Sequence, residues 1–314
     1  MFAILSTVGR DFEMDWEAAL KANFDNNLPT ESTDFFYKTL VPKDFKGNLE
    51  FRRKILELCY ADEAVAREVW MICSRDLLFF INVFGWTMAT KDYPENPARP
   101  FITYEDFQDE AFLEIAAAIG DHDLGLPKSR DMGASWMCLC VMVWMFVFRR
   151  DQSFLLASWR EEAVDINGDM DTLMEKIWWF LNQLPVFLIP KKVKRTSMLI
   201  RSPENNCVFT GTATTDSIGV GGRRTAIFLD EVGRMKNSDT IIADTRDVTN
   251  TRLVNSTPNG RTGVGKGFFD FVSNDEQRSI FMHWSDHPLK NKGMYYLEED
   301  GTRVNVEKWN WREH

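Results

Sequence analysis

Two stretches of this sequence carry the residue types needed to grip and split a triphosphate. The first runs Pro127-Lys-Ser-Arg-Asp-Met-Gly-Ala-Ser135 and leads directly into an apolar run ending at Phe148. A loop followed at once by a helix offers backbone N–H groups and a positive helix end to an anion. Gly133 permits close backbone approach, and Ser135 places a hydroxyl where Mg2+ on a triphosphate needs a ligand. The usual pattern G-x-x-x-x-G-K-[ST] puts lysine immediately before that hydroxyl. Ala134 stands there instead, and Lys128, at the front of the loop, is the lysine that can reach across to the same phosphates. Ser129, Arg130, Asp131, Met132 and Trp136 complete the stretch expected to meet ATP.

The second stretch is Ala226-Ile-Phe-Leu-Asp-Glu231, an apolar strand ending in two acids. In phosphoryl transfer such a pair divides the work: Asp230 holds Mg2+, directly or through water, and Glu231 polarises the attacking water. Further on, Leu253-Val-Asn-Ser-Thr-Pro-Asn-Gly260 is a strand ending in hydroxyl residues. Ser256 and Thr257, followed by Pro258, end that strand, and the two hydroxyls are expected to sense the γ-phosphate or the attacking water. Upstream, Gln108 follows Tyr104 and Phe107, so an amide can pair with the adenine edge while an aromatic ring packs on its face. Gly260-Arg-Thr-Gly-Val-Gly-Lys-Gly267 matches the regular phosphate-loop pattern except at its end, where Gly267 has no hydroxyl for a metal. It is read as a glycine turn after a strand.

Positioning these residues requires short strands alternating with helices. Apolar runs at 124–127, 154–158, 198–201, 207–210, 225–230, 252–256 and 279–284 predict strands, and helices are expected over 133–149, 160–184 and 237–246. That alternation predicts an α/β fold, a mainly parallel sheet with helices on both faces. Residues 1–98 read as an N-terminal helical subdomain, ended by the prolines at 94, 97 and 100; 99–290 form the core and 291–314 a tail or linker.

The four elements in this order resemble the ATPase half of a tailed-bacteriophage terminase large subunit. That family has a glutamine motif, a deviant K-S-R-x-x-G-x-S loop, an Asp-Glu strand end and an S-T-P coupling motif; the resemblance covers about residues 99–290. It implies a RecA-like ASCE P-loop fold with a helical lid, ATP hydrolysis with Mg2+, and translocation of double-stranded viral DNA into a procapsid. The implied partners are the portal protein, the terminase small subunit and further copies of the chain in a ring, in the cytoplasm of an infected bacterial host. A ring also implies an arginine finger, for which Arg223 and Arg224 are the candidates in trans and Arg130 in cis. The family's C-terminal nuclease has no counterpart here, so metal-dependent DNA cleavage is not expected. Two other readings remain open: a superfamily 2-like helicase or translocase, which needs a second RecA-like domain, and a non-catalytic ATP-binding assembly subunit, which needs no Glu231.

Composition narrows the field. The 314 residues carry a net charge of −10, so contact with DNA must come from local patches or from a ring of subunits. Lys191, Lys192, Lys194, Arg195 and Arg201 form the densest one, readable as a DNA contact or a solvated strand edge. The five cysteines show no disulfide framework, and the pair Cys138 and Cys140 falls in an apolar helical run. The stretch 132–148 is barely long enough for a membrane span and reads as a buried helix behind the loop. The N-terminus lacks the basic start of a signal peptide. Asp165–Asp171 departs from a calcium loop in the placement of its glycine, and His283, Asp286 and His287 lack a further ligand.

Overall fold

The computed structural model describes residues 35–90, 93–212 and 222–305. The reading of the N-terminus as no signal peptide lies outside these residues, as do the first part of the 1–98 subdomain and the end of the 291–314 tail.

The described residues open with helices α1 (Phe35–Leu40), α2 (Phe45–Ala61), α3 (Glu63–Arg75) and α4 (Leu77–Phe84). Aspartates punctuate them. Asp44, Asp62 and Asp76 each accept a backbone N–H at a helix start, from Gly47, Ala64 and Phe79. Each carboxylate satisfies a backbone donor that a helix start leaves without an intrahelical partner, which sets where that helix begins. A two-stranded ribbon, β1 (Trp86–Met88) antiparallel to β2 (Ala98–Pro100), spans the proline-rich stretch.

The rest is built on a sheet. In chain order come α5 (Glu110–Ala118), β3 (Leu124–Pro127), α6 (Ala134–Phe148), β4 (Ser153–Ser158), α7 (Leu173–Gln183), β5 (Lys194–Thr196), β6 (Leu199–Ser202) and β7 (Cys207–Thr212). Then follow β8 (Ala226–Asp230), α8 (Ser238–Asp244), β9 (Arg252–Ser256), α9 (Lys266–Val272) and β10 (Arg278–Ser279). The eight strands lie in the order β10-β3-β9-β8-β4-β7-β6-β5. From β10 to β7 every pairing is parallel; β5 and β6 are antiparallel at one edge. This is an α/β, RecA-like sheet. The strand leading into the loop and the strand ending in the acids are separated by one strand, β9.

Strand alternation assigns the two faces. Ala226 and Phe228 join the core under α6, whereas Ile227 and Leu229 pack with Ile241, Phe268 and Phe271 of α8 and α9. Helix α6 is apolar nearly all round because it is covered on both sides, by the sheet and by the N-terminal helices. Phe148 meets Trp70 and Phe80 edge-on, and the indole of Trp144 donates to the carbonyl of Cys73. Residues on either side of position 98 thus share one core. Phe148→Ala is expected to cost about 3–5 kcal/mol, because three helices converge on a ring that is fully buried; urea unfolding measures it. Among the described residues no helix is long and apolar enough to cross a membrane.

Three expectations need correction. The helix predicted over 160–184 begins only at Leu173. Before it, Gly168 turns with φ +82 and Asp165 accepts from Arg195 and from the N–H of Met198, which consumes that segment's polar groups in a loop. Arg195 is accordingly no member of a free basic patch: its side chain lies largely buried between Asp165 and Glu175. The strand expected over 279–284 stops at Ser279, where Ile280 and Met282 continue the pairing to β3 only through isolated backbone bonds, and Trp284–Asp286 is a single helical turn capped by His283.

Candidate active site

The register brings the chemistry together. Pro127 is level with Ser256, Asn255 with Asp230, and Asp230 with Ser158, so four parallel strands end in one row. Ligand sites in open α/β sheets form at such C-terminal edges. With neighbouring strands about 4.8 Å apart, the ends of β3 and β8 stand about 10 Å from each other. Lysine and glutamate together span that gap: Lys128 Nζ donates to Glu231 Oε1 at 3.2 Å and lies 3.4 Å from Thr257 Oγ1. Lys128 is held in place because its backbone N–H donates to the carbonyl of Ser256 and its chain pairs with Met282.

Glu231 sits at φ 56, ψ 40, a left-handed conformation uncommon for a residue with a side chain. That turn swings its carboxylate off the strand line toward Lys128, with Arg234 Nε 3.7 Å from the other oxygen. Asp230 is nearly enclosed. Its Oδ1 accepts from Ser135 Oγ at 3.0 Å and from the amide of Asn255, which also donates to Ser135 Oγ at 3.3 Å. Burial raises the Asp230 carboxyl above the usual carboxylate range, with Glu231 pushing the same way; the Asn255 and Ser135 hydrogen bonds and the Lys128 charge oppose the rise.

Mg2+ prefers hard oxygen ligands, keeps several waters, and is typically bound by one or two carboxylates plus phosphate oxygens. Ser135 and Asp230 are that donor set, and Asn255 Oδ1 beside them is buried with no hydrogen-bond partner. Among the described residues no cluster of three or more His, Cys, Asp or Glu offers an all-protein cage. The residues fit a cation that arrives with its phosphates.

The loop itself turns through Asp131 (φ 56) and Gly133 (φ +80), after which α6 begins. Met132 and Ala134 are buried beneath it; Ser129 Oγ accepts from the N–H of Trp284; Arg130 is exposed, with its carbonyl accepting from Lys290. Trp136 packs edge-on against Trp179 at 6.0 Å. An open cavity of about 1260 Å³ adjoins the loop, lined among others by Arg99, Tyr104, Gln108, Gly133, Trp136 and His287. Gln108 enters it from a π-helical turn, Glu105–Asp109, and its Oε1 accepts from the N–H of Tyr104. A side chain at position 133 would approach Gln108 Nε2 to 3.2 Å. The glutamine and the loop therefore meet at Gly133.

Ser256 is fully buried and accepts from the N–H of Gly233, while Asn259 donates to the carbonyl of the same glycine; Pro258 is exposed. Arg223 and Arg224 are elsewhere. Arg224 donates to Ser153 at the start of β4, at the opposite end of the sheet from Asp230, roughly 20 Å along the strand. Neither can reach the site of its own chain. Arg234 and Asn255 are site residues that sequence reasoning missed. The glycine loop at 260–267 has packing reasons for its composition: a Cβ at Gly267 would meet Asp239 N at 2.5 Å, and Lys266 pairs with Asp270.

No family profile matches the sequence, and no curated protein does. Among solved structures, the chain is similar to the large terminase of bacteriophage HK97, with 12% identity over 66% of this chain and 43% of that one, TM-score 0.47. It is also similar to the large terminase of a thermophilic bacteriophage in complex with ADP, with 15% identity over 54% of this chain and 40% of that one, TM-score 0.38. A further structure of the same thermophilic phage's large terminase gives 16% identity over 58% of this chain and 45% of that one, TM-score 0.40. The chain spans less than half the length of each of these proteins.

Proposed function

We propose that this chain is the ATPase motor of viral genome packaging, hydrolysing ATP with Mg2+ to translocate double-stranded DNA into a procapsid. The observation that carries the reading is the meeting of Lys128, Ser135, Asp230, Glu231 and Thr257 at the ends of adjacent parallel strands. The adenine lies in the cavity against Gln108, and the phosphates follow the loop from Asp131 to Ser135. Lys128 neutralises the terminal phosphates. Glu231 orients the attacking water and takes its proton. Mg2+, held by Ser135 and Asp230, supplies charge neutralisation on the phosphate oxygens when bound. Thr257 senses the γ-phosphate from β9, and Ser256–Pro258 carry the change outward.

In this reading the chain works as a homo-oligomeric ring, with the portal protein and the terminase small subunit, in the cytoplasm of an infected bacterial host. Arg130 is the finger candidate in cis; Arg223 and Arg224, far from their own site, are candidates for a neighbour's. The exposed Lys192, Lys194 and Arg201 at the antiparallel edge of the sheet are the local patch for the DNA backbone in a chain of net charge −10. The test is Mg2+-dependent ATP hydrolysis with and without double-stranded DNA. Stimulation by DNA that fades as salt rises is expected. Hydrolysis indifferent to DNA at low salt, across protein concentrations that permit assembly, would sink the motor reading and leave an ATPase of another kind.

A further inference from the structure

The π-helical turn that delivers Gln108 to the cavity is anchored from a distance. Its last residue, Asp109, turns into the core, where Tyr37 of α1 donates its hydroxyl to Asp109 Oδ2 at 2.6 Å. The same hydroxyl lies 2.9 Å from Thr103 Oγ1. Thr103 is locked in turn to Asn82 of α4: its N–H donates to Asn82 Oδ1 and its hydroxyl accepts from Asn82 Nδ2, both at 2.9 Å. The N–H of Tyr37 donates to Asp76, the residue that caps α4. Tyr37 and Asn82 have no exposure at all, and Asp109 Oδ1 is buried with no hydrogen-bond partner. Burial raises the Asp109 carboxyl, and the Thr103 and Tyr37 hydroxyls lower it.

Such a network is an expensive way to join helices that already share an apolar core, because a buried acceptor left unpaired costs free energy. Its position gives it a use. The π turn carries one residue more per hydrogen-bonded ring than an α-helix, and such turns recur at functional sites. Here the carbonyl of Tyr104 accepts from Phe107, Gln108 and Asp109 together, so the orientation of Gln108 depends on where Asp109 is pinned. Tyr37 does not line the cavity, whereas Lys43 does, and Lys43 Nζ stands 3.0 Å over the Tyr37 ring.

We infer that Tyr37 and Asp109 are positioning residues for Gln108, so that selectivity for the nucleobase is set in part by helix α1, which never touches the nucleotide. This rests on the reading of Gln108 as the base-binding residue. The test is the affinity for ATP and for GTP, measured by displacement of a fluorescent ATP analogue from wild type, Tyr37→Phe, Asp109→Asn and Gln108→Ala, with thermal unfolding followed in parallel. Tyr37→Phe keeps the ring under Lys43 and is expected to lower the ATP-over-GTP preference about tenfold, the worth of one hydrogen bond. Asp109→Asn, whose amide oxygen still accepts from Tyr37, is expected to keep the wild-type ratio. Thr103→Val, which removes the second hydroxyl, serves where Tyr37→Phe does not fold, and is expected to shift the ratio in the same direction. An unchanged ratio in both Tyr37→Phe and Thr103→Val, whatever their unfolding temperatures, would overturn the proposal, leaving the network a purely structural one. If Gln108→Ala itself leaves the ratio unchanged, the base-binding reading fails and the proposal falls with it. If only Gln108→Ala shifts it, the base-binding reading stands and the proposal alone is wrong.

Discussion

Glu231→Gln is expected to bind ATP as wild type does and to hydrolyse it about 10²–10⁴-fold more slowly, the range spanned by removal of a general base. The substitution keeps size and hydrogen-bonding capacity, so the left-handed turn at 231 and the contacts to Lys128 and Arg234 can be replaced by amide contacts. What is lost is the ability to take a proton from water. Single-turnover hydrolysis and equilibrium nucleotide binding, measured side by side, separate the two. Turnover within a factor of two of wild type would remove Glu231 from the chemistry and place the activation of water on another group.

Lys128→Ala is expected to weaken ATP binding roughly ten- to a hundredfold, as loss of a charge-assisted contact does, and to reduce turnover by a further 10²-fold or more. The lysine has two tasks. In the proposed function it meets the phosphates, and in the structure it is the cation that opposes the upward shift of the Asp230 carboxyl. Without it that carboxyl titrates higher still. The residual activity should therefore fail at a higher pH on its acid side than wild type does, because protonated Asp230 no longer attracts a cation. Lys266→Ala, in the other glycine-rich loop, should change neither binding nor turnover, since Lys266 is exposed and paired with Asp270. The reverse pattern, loss with Lys266→Ala and none with Lys128→Ala, would move the nucleotide to the second loop and end the assignment.

The parts of the site that are legible in the sequence are those made of consecutive residues. A strand ending Asp230-Glu231, a loop ending Gly133-Ala-Ser135 before an apolar helix, and a strand ending Ser256-Thr257 each announce themselves locally, and parallel pairing then brings the ends together. Asn255 escapes notice because one asparagine near a strand end has no signature; only the register with Asp230 reveals it. The anchoring of Asp109 by Tyr37 joins residues far apart in the chain, and neither periodicity nor motif records such a pairing. The helix expected over 160–184 falls short for a different reason: its apolar spacing is outweighed by Gly168, by Asp165, which accepts from the N–H of Met198, and by Asp169, which accepts from the N–H of Asp171. Strand polarity alone places Arg223 and Arg224 at the far end of the sheet, since they precede the strand whose other end is Asp230.

The double tie at Gly233 has a mechanical meaning. Its N–H is held by Ser256 and its carbonyl by Asn259, and a side chain there would meet Ser256 Oγ at 2.9 Å. The turn after Glu231 and the exit from β9 are therefore bound to each other on both sides of one residue. Past it the backbone takes left-handed turns at Gly260 (φ +87) and Gly263 (φ +63). In the terms of a linkage, Gly233 is a pivot shared by the acid-pair turn and the exit from β9, so a shift of either one would draw the other with it.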